Sequence, residues 1–533
     1  MFGAIVRKEL SYHLASFRFW VGALLTVALA VSSTLIAARD YNQRLASFRE
    51  RVADERRELG EVTVYSSLQP LVVRPPEPLS VLAQGFESRL GTDVEVHLFA
   101  VPVTATGGQR GNELLTSVPA VDLTTVVTVV LGLLALLLTC EAVIGERENG
   151  MLRALFAHDV TRGTVLAGKL AGGLAALAIL LAAGLAASLA LRRAEVGVGL
   201  TPDQWLRIAG LLGGYLAYLS LMLMLGLIIS LYVRSTPAAL WASVFVWFAA
   251  VVILPGVAWT VAGSAVAVEP AKQETERRIA GLTAAHERRL ARELHRDPLR
   301  ATISGHTAVS FASGEHRSVR YRYGSAAYYD ALAAYHRFEV RAGLRHAEEV
   351  YALERRYLER LRAGERLGAA LALPSPAFLL DRFAEAFAGT SLDEHDRFLE
   401  ASRRHRLRLL DYLERQGAFR SWRWFTDDPP GGLHPWPLYF GLRPEEVGPD
   451  RAYLLFSRLI EPEVAARVRR HRQAVERDPS RRLPLAGMPA FSYRGADFPG
   501  ALRQGAGEAG VLLLLNAVAA AVARARFRRY DLG

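Results

Sequence analysis

The sequence predicts an α-helical polytopic membrane protein: six transmembrane helices carrying a large, mainly helical extracytoplasmic domain. Three observations lead there. Six apolar stretches are long enough to cross a bilayer, which takes ~20 helical residues. Basic residues gather in the short segments on one side of those stretches. The two long connections, after the first stretch and after the fifth, are charged and mostly helix-patterned. Composition agrees: 51% of the 533 residues are hydrophobic, yet 22% are charged. Apolar segments therefore alternate with strongly polar ones.

Taken in order, residues 1–16 form an amphipathic cytoplasmic helix and 17–38 the first span. The second span is 121–144, containing "TVVTVVLGLLALLLTC"; the third is 165–191, the fourth 206–233, the fifth 237–268 and the sixth 507–523. A cytoplasmic tail, 524–533, follows. These runs are apolar all round, unlike soluble core helices, which are apolar on one face. The third is filled with small residues, among them Gly172, Gly173, Ala176 and Gly184, which let a neighbouring helix approach closely in lipid. Alanine-rich coding gives the same pattern. No small-residue cleavage site follows the first run, so the start does not read as a signal peptide.

Orientation follows from the flanks. Arg7 and Lys8 precede the first span, Arg147, Arg153 and Arg162 lie between the second and third, Arg234 between the fourth and fifth, and Arg524, Arg526, Arg528 and Arg529 after the sixth. All fall on one side, the cytoplasm; Arg192 and Arg193 dissent. The expected place is a bacterial inner membrane, crossed several times. The net charge of +11 is carried almost wholly by arginine and by itself names no partner; no nucleic acid is expected. The single cysteine, Cys140, excludes an intrachain disulfide and a cysteine zinc site.

Extracytoplasmic region 39–120 opens with a charged helix continuing the first span. "VVRPPEPLS" is expected to break it, and "VEVHLFAVPV" to give one or two strands. The extracytoplasmic domain 269–505 reads as helices, with Ser391 and Glu394 spaced as a capping box. Ten of the thirteen histidines fall there. None has ligand spacing, so they are expected to be solvated and no metal is expected.

One motif needs care. Gly163 to Lys169 reads G-x-x-x-x-G-K, one hydroxyl short of a phosphate loop. Leu170 stands where Ser or Thr must hold magnesium, an apolar span follows instead of an α/β core, and no second magnesium ligand is in view. No catalytic residue, ATPase motif or cofactor site is expected on this chain.

The surrounding block, 145–164, is a compact cytoplasmic turn. Glu146, Arg147 and Glu148 sit where the second span ends, and Gly150 permits a sharp bend. Leu152, Leu155 and Phe156 form an apolar patch beside Arg153, and Arg162, Gly163 and Lys169 lead back into the membrane. "GERENGMLRAL" and "TRGTVLAGK" resemble, in order and spacing, the loop between the second and third spans of ABC-2-type transporter permeases. Met151 departs from the family's usual Thr, and "HDV" stands where Pro is frequent. The six-span layout is similar too, in a bacterial subgroup with a large domain between spans five and six.

The resemblance implies that this block is a coupling helix seated on a separate cytoplasmic ABC ATPase, which carries ATP and magnesium. It implies a dimer with a second copy or a paralogous permease, and a non-catalytic subunit of an exporter. Polar groups within spans tend to face the interior. The candidate pathway is therefore Asp122, Thr124, Thr125 and Thr128 of the second span with Trp241, Ser243, Trp247 and Trp259 of the fifth; helix–helix adhesion accounts for them equally. The alternative function is mechanical: ATPase strokes passed to an extracytoplasmic partner without moving a substrate. A third reading, a membrane-anchored enzyme, finds no nucleophile, metal or paired-acid motif.

Overall fold

The computed structural model describes residues 2–87, 89–106, 121–151, 161–265, 268–296, 309–313, 316–320, 326–425, 466, 470 and 478–530. A short helix α1 (Phe2–Ala15) leads into α2 (Phe17–Glu61), whose N-cap Ser16 accepts from the Phe19 N–H. With α2, the helices α3 (Leu123–Glu148), α4 (Arg162–Val196), α5 (Pro202–Tyr232), α6 (Thr236–Ala265) and α11 (Phe498–Arg528) are long and apolar enough to cross a membrane. Outside them lie α7 (Val268–Arg296), α8 (Ala326–Ala372), α9 (Pro376–Ala388) and α10 (Leu392–Arg415), with two short antiparallel strand pairs. These are β1 (Leu71–Val73) with β2 (Asp93–Glu95), and β3 (Val309–Ser313) with β4 (His316–Arg320).

One core fills the bundle of spans and a second the outer domain, where Leu68, Val72, Val94 and Val96 meet Phe398, Leu409 and Leu413. In the bundle, polar side chains bind helix to helix. Thr34 and Ser188 join α2 to α4 at 2.8 Å. Thr139 donates to the Leu223 carbonyl of α5 at 2.9 Å, and Asn516 of α11 to that of Ala217 at 3.0 Å. Such bonds replace the hydrophobic drive that lipid removes. Gly172 of α4 lies against α1, where a Cβ would stand 2.6 Å from that of Glu9.

Several expectations need correction. The helix after the first span ends at Glu61, well before the prolines, because the Val62 carbonyl is held by the Leu483 N–H at 2.8 Å. "VVR" begins as strand β1. The dissenting Arg192 is buried, not displayed, and donates to the carbonyls of Pro78 and Val198. Ser391 does cap α10, but Glu394 gives its carboxylate to Arg397 and Tyr493 rather than closing the box. His336, His395 and His405 are buried against aromatic rings rather than solvated. Among the described residues, no three metal-ligating side chains converge.

The region 269–505 also does not stay clear of the spans. Helix α8 descends along the second half of α6, with Gly368 so close to Trp259 that a Cβ would meet its ring at 2.7 Å. The chain turns at Ser375, whose hydroxyl donates to the Ala250 carbonyl, halfway along α6, at 2.6 Å. Helix α9 then climbs back with Phe383 and Phe387 stacked 4.4 Å apart. The two rings fill space left by Gly210 and Gly214 of α5 and Gly505 of α11. Residues 367–380 are uncharged. A run of that length suits a segment that re-enters the membrane without crossing it.

Candidate functional site

The end of the bundle that holds α1 collects the described residues of the proposed coupling block. Glu146, Arg147, Glu148 and Gly150 close α3; Arg162, Gly163 and Lys169 open α4. Leu152, Arg153, Leu155 and Phe156 lie outside the described residues.

Three consecutive side chains of α3 reach three different places. Glu146 accepts from Lys8 of α1 at 2.9 Å and lies 3.0 Å from the Lys169 ammonium of α4. The Arg147 guanidinium lies over the ring of Tyr530, just beyond α11, at 5.7 Å. Glu148 accepts from both the N–H and the hydroxyl of Thr236, at 3.2 and 2.6 Å. Ser235 caps α6 with no side-chain bond of its own, so the Glu148 carboxylate does that work and meets the positive end of the helix. Gly150 has φ +71°, which turns the chain out of α3.

Opposite, Arg162 spreads one guanidinium nitrogen over the last two carbonyls of α11, Phe527 at 2.7 Å and Arg528 at 2.8 Å, and over that of Tyr530 just beyond at 3.0 Å. A cation there satisfies orphan acceptors and opposes the helix dipole. Arg526 stacks on Tyr232 at 4.7 Å, which adds the foot of α5.

The G-K of the phosphate-loop lookalike has a structural explanation. Gly168 lets Ile5 of α1 approach to 2.6 Å from where a Cβ would stand. Lys169, 2% exposed, gives its charge to Glu9 at 2.9 Å and to Glu146. Sequence placed it with the residues that lead from the coupling block back into the membrane; there it is buried, and its charge is consumed within the chain. Lys8 lies 3.9 Å from Glu9, closing a four-charge cluster between α1, α3 and α4.

The proposed pathway residues do not come together. Asp122 is the N-cap of α3, accepting from the Thr125 N–H and hydroxyl at 2.8 Å and from the Gln84 N–H at 2.9 Å. Thr124 pairs with the Tyr215 hydroxyl, and Tyr218 donates to the Thr128 carbonyl, both at 2.9 Å. That carbonyl belongs to a widened π turn, Val127–Leu131, and α6 has its own at Ala249–Ile253, where Ser375 docks. Ser243 is buried and bonded to the Ala239 carbonyl of its own helix. Trp247 packs against the bundle core. Trp241, by contrast, points outward at 73% exposure, and Trp259 is half-exposed beside Phe378. Caps and contacts within or between helices take up the hydrogen-bonding groups of the buried ones.

Residues 3–312 match the family described as ABC-2 family transporter protein. This chain belongs to that family. In this ABC-2 protein, residues 320–494 match a domain of unknown function, DUF3526, which takes in the turn at Ser375 between α8 and α9, and α10. Two curated relatives bear the name "Probable ABC transporter permease protein NosY". That of Pseudomonas aeruginosa is 35% identical over 117 residues, 19% of this chain and 42% of its own length. That of Stutzerimonas stutzeri is 34% identical over 106 residues, 19% of this chain and 38% of its own. The chain thus spans about two fifths of the curated relatives it matches.

Sequence reasoning missed Lys8, Glu9, Thr236 and Tyr530 as members of this junction. The visible signal was Glu9 beside Arg7 and Lys8 in the amphipathic helix start, "GAIVRKELSYHL".

Proposed function

We propose that this protein is the membrane-spanning permease subunit of an ATP-driven exporter in a bacterial inner membrane, worked by a separate cytoplasmic ATPase. The observation that supports this best is the junction at the end of α3. Glu146, Arg147 and Glu148 tie one short segment to α1 and α4, to the end of α11 and to the start of α6. A push on residues 145–164 would reach four other helices at once, which is what a handle for someone else's ATPase requires. The ATPase carries the ATP and magnesium, and a second permease copy or a paralogue completes the assembly.

The test is a pull-down from membranes in mild detergent. A P-loop ATPase is expected to come with the chain and to be lost from the Leu155→Asp, Phe156→Asp variant. Glu148→Gln should keep the ATPase bound while lowering transport per ATP hydrolysed. No ATPase under gentle conditions, or a cysteine at Gly150 that reacts with an impermeant reagent added outside intact cells, defeats the reading.

A second reading, transmission of strokes to an outer partner without a substrate, draws on a specific observation. The polar groups of α3 are consumed in caps and helix contacts, while the turn at Ser375 ties the middle of α6 to the outer helices. Substrate flux in sealed vesicles favours the exporter; ATP-dependent movement of the outer domain without flux favours transmission.

A further inference from the structure

At the foot of the bundle, between α4 and α11, lies a cleft of about 310 Å³. Thr161, Arg162 and Gly163 form one wall and Arg524, Phe527 and Arg528 the other, with Leu166 closing the inner side. Its size is at the small end for ligand clefts. Three guanidinium-bearing residues line it and, among the described residues, no carboxylate does. Arg162 already neutralises the last carbonyls of α11, so the negative end of that helix does not offset the positive charge around it. The guanidinium groups of Arg524 and Arg528, one turn apart and exposed, have no hydrogen bond or ion pair with any described residue.

The opposite wall is the first turn of a 35-residue helix. Its leading N–H groups have no acceptor within the helix. Thr161 takes the Thr164 N–H at 3.2 Å, and a Cβ added at Gly163 would meet nothing within 4 Å. Two arginines thus face an open helix start across a cavity, an arrangement suited to a phosphate.

What the phosphate is attached to follows from where the cleft sits. Above it, the outward face of α11 is apolar and bare: Leu513, Leu514, Val518 and Val522 are all exposed. That face ends at Arg524 and Arg528. A cleft with cationic walls at the foot of an apolar face matches the two halves of a phospholipid. An acidic protein surface would leave the apolar face unused.

We propose that this cleft holds the headgroup of an anionic phospholipid, with phosphate between Arg524, Arg528 and the first turn of α4 and acyl chains along α11. The lipid would bridge the same two helices that Arg162 joins. The proposal rests on the membrane spans alone, so it stands or falls separately from the coupling reading.

The test uses the full chain, purified in mild detergent, stripped of lipid and returned to vesicles of phosphatidylcholine alone or mixed with phosphatidylglycerol. Bound lipid is then counted by native mass spectrometry after gentle extraction. The wild type is expected to keep phosphatidylglycerol in preference to phosphatidylcholine. Arg524→Gln with Arg528→Gln should lower that retention about tenfold, the loss of one charge-assisted contact or more. Gly163→Val, which fills the cleft without changing charge, should lower it too. Arg529→Gln, a basic tail residue outside the cleft, should not.

Equal retention of both lipids overturns the proposal. So does an Arg529→Gln effect as large as that of the double variant, which would mean diffuse attraction to the tail. Displacement of the lipid by millimolar inorganic phosphate, with phosphate remaining bound, assigns the site to a free anion and overturns the lipid. Elution profiles and melting of each variant separate loss of binding from loss of fold.

Discussion

Removing the Lys169 ammonium is the sharpest test of the four-charge cluster. In Lys169→Met the side chain keeps its bulk, but Glu9, 5% exposed, loses its 2.9 Å partner and retains only Lys8 at 3.9 Å. At an effective dielectric of ~20, one contact at 2.9 Å is worth roughly 5–6 kcal/mol before desolvation. Leaving a buried partner unpaired typically costs about 3–5 kcal/mol. Glu146 keeps Lys8 at 2.9 Å and softens the loss there, so the lower half of that range is expected. Adding Glu9→Gln removes the stranded charge, and the double variant should recover most of the deficit, because replacing both members of a buried pair is often near neutral. The assay is thermal unfolding in detergent, with limited proteolysis at Arg7 reporting whether α1 still lies on α4. If Lys169→Met costs less than about 1 kcal/mol, or the double variant is no better than the single one, the ion cluster does not hold α1 and the argument fails.

Other outcomes follow from the packing. Gly214→Leu should cost at least about 1–3 kcal/mol, because even a Cβ there would stand 2.3 Å from the Phe383 ring, and Phe383→Ala should return part of it. Ser375→Ala removes both the bond to Ala250 and the cap on Phe378, a loss of about 1–2 kcal/mol in detergent melting, with raised hydrogen exchange confined to 367–388. His395 and His405 are held down to about 4 by burial, with nearby arginines adding to it. Their ordinary value is about 6.5, so the unfolded chain takes up protons that the fold refuses. Stability should therefore fall as pH drops from about 6.5 to about 4, by at most roughly 3 kcal/mol for each histidine. His405→Phe should flatten the melting profile between pH 7 and pH 5.

The spans were legible because lipid leaves a helix no choice but continuous apolar sequence. The hairpin at 367–388 was not. Its uncharged run is too short to signal a crossing, and Arg362 and Arg366 before it and Asp381 and Arg382 after it read as solvated surface. Gly210, Gly214 and Gly505 were visible as glycines, yet only the fold shows that they receive Phe383 and Phe387. The junction was half legible. Spacing marked Glu146 through Lys169 as a unit, but which charge met which depended on α1 lying against α4, a contact more than 150 residues apart in sequence. Spacing likewise gave no sign that His336, His395 and His405 are buried against aromatic rings. Polarity within a span marks any inward face, so sequence alone left pathway and helix adhesion equal; the fold adds that Tyr215 and Tyr218 of α5 bond to Thr124 and to the Thr128 carbonyl of α3.

Helix α2 runs 45 residues without a break, a rod of ~68 Å. Its portion beyond the apolar stretch, 39–61, adds ~34 Å of the same rigid shaft. A shaft anchored at one end multiplies angle into distance: a tilt of ~10° within the bilayer would swing the far tip by ~6 Å, given that length. Because Val62 at that tip is clasped by Leu483, the swing would be handed on directly to the stretch of chain that leads into α11.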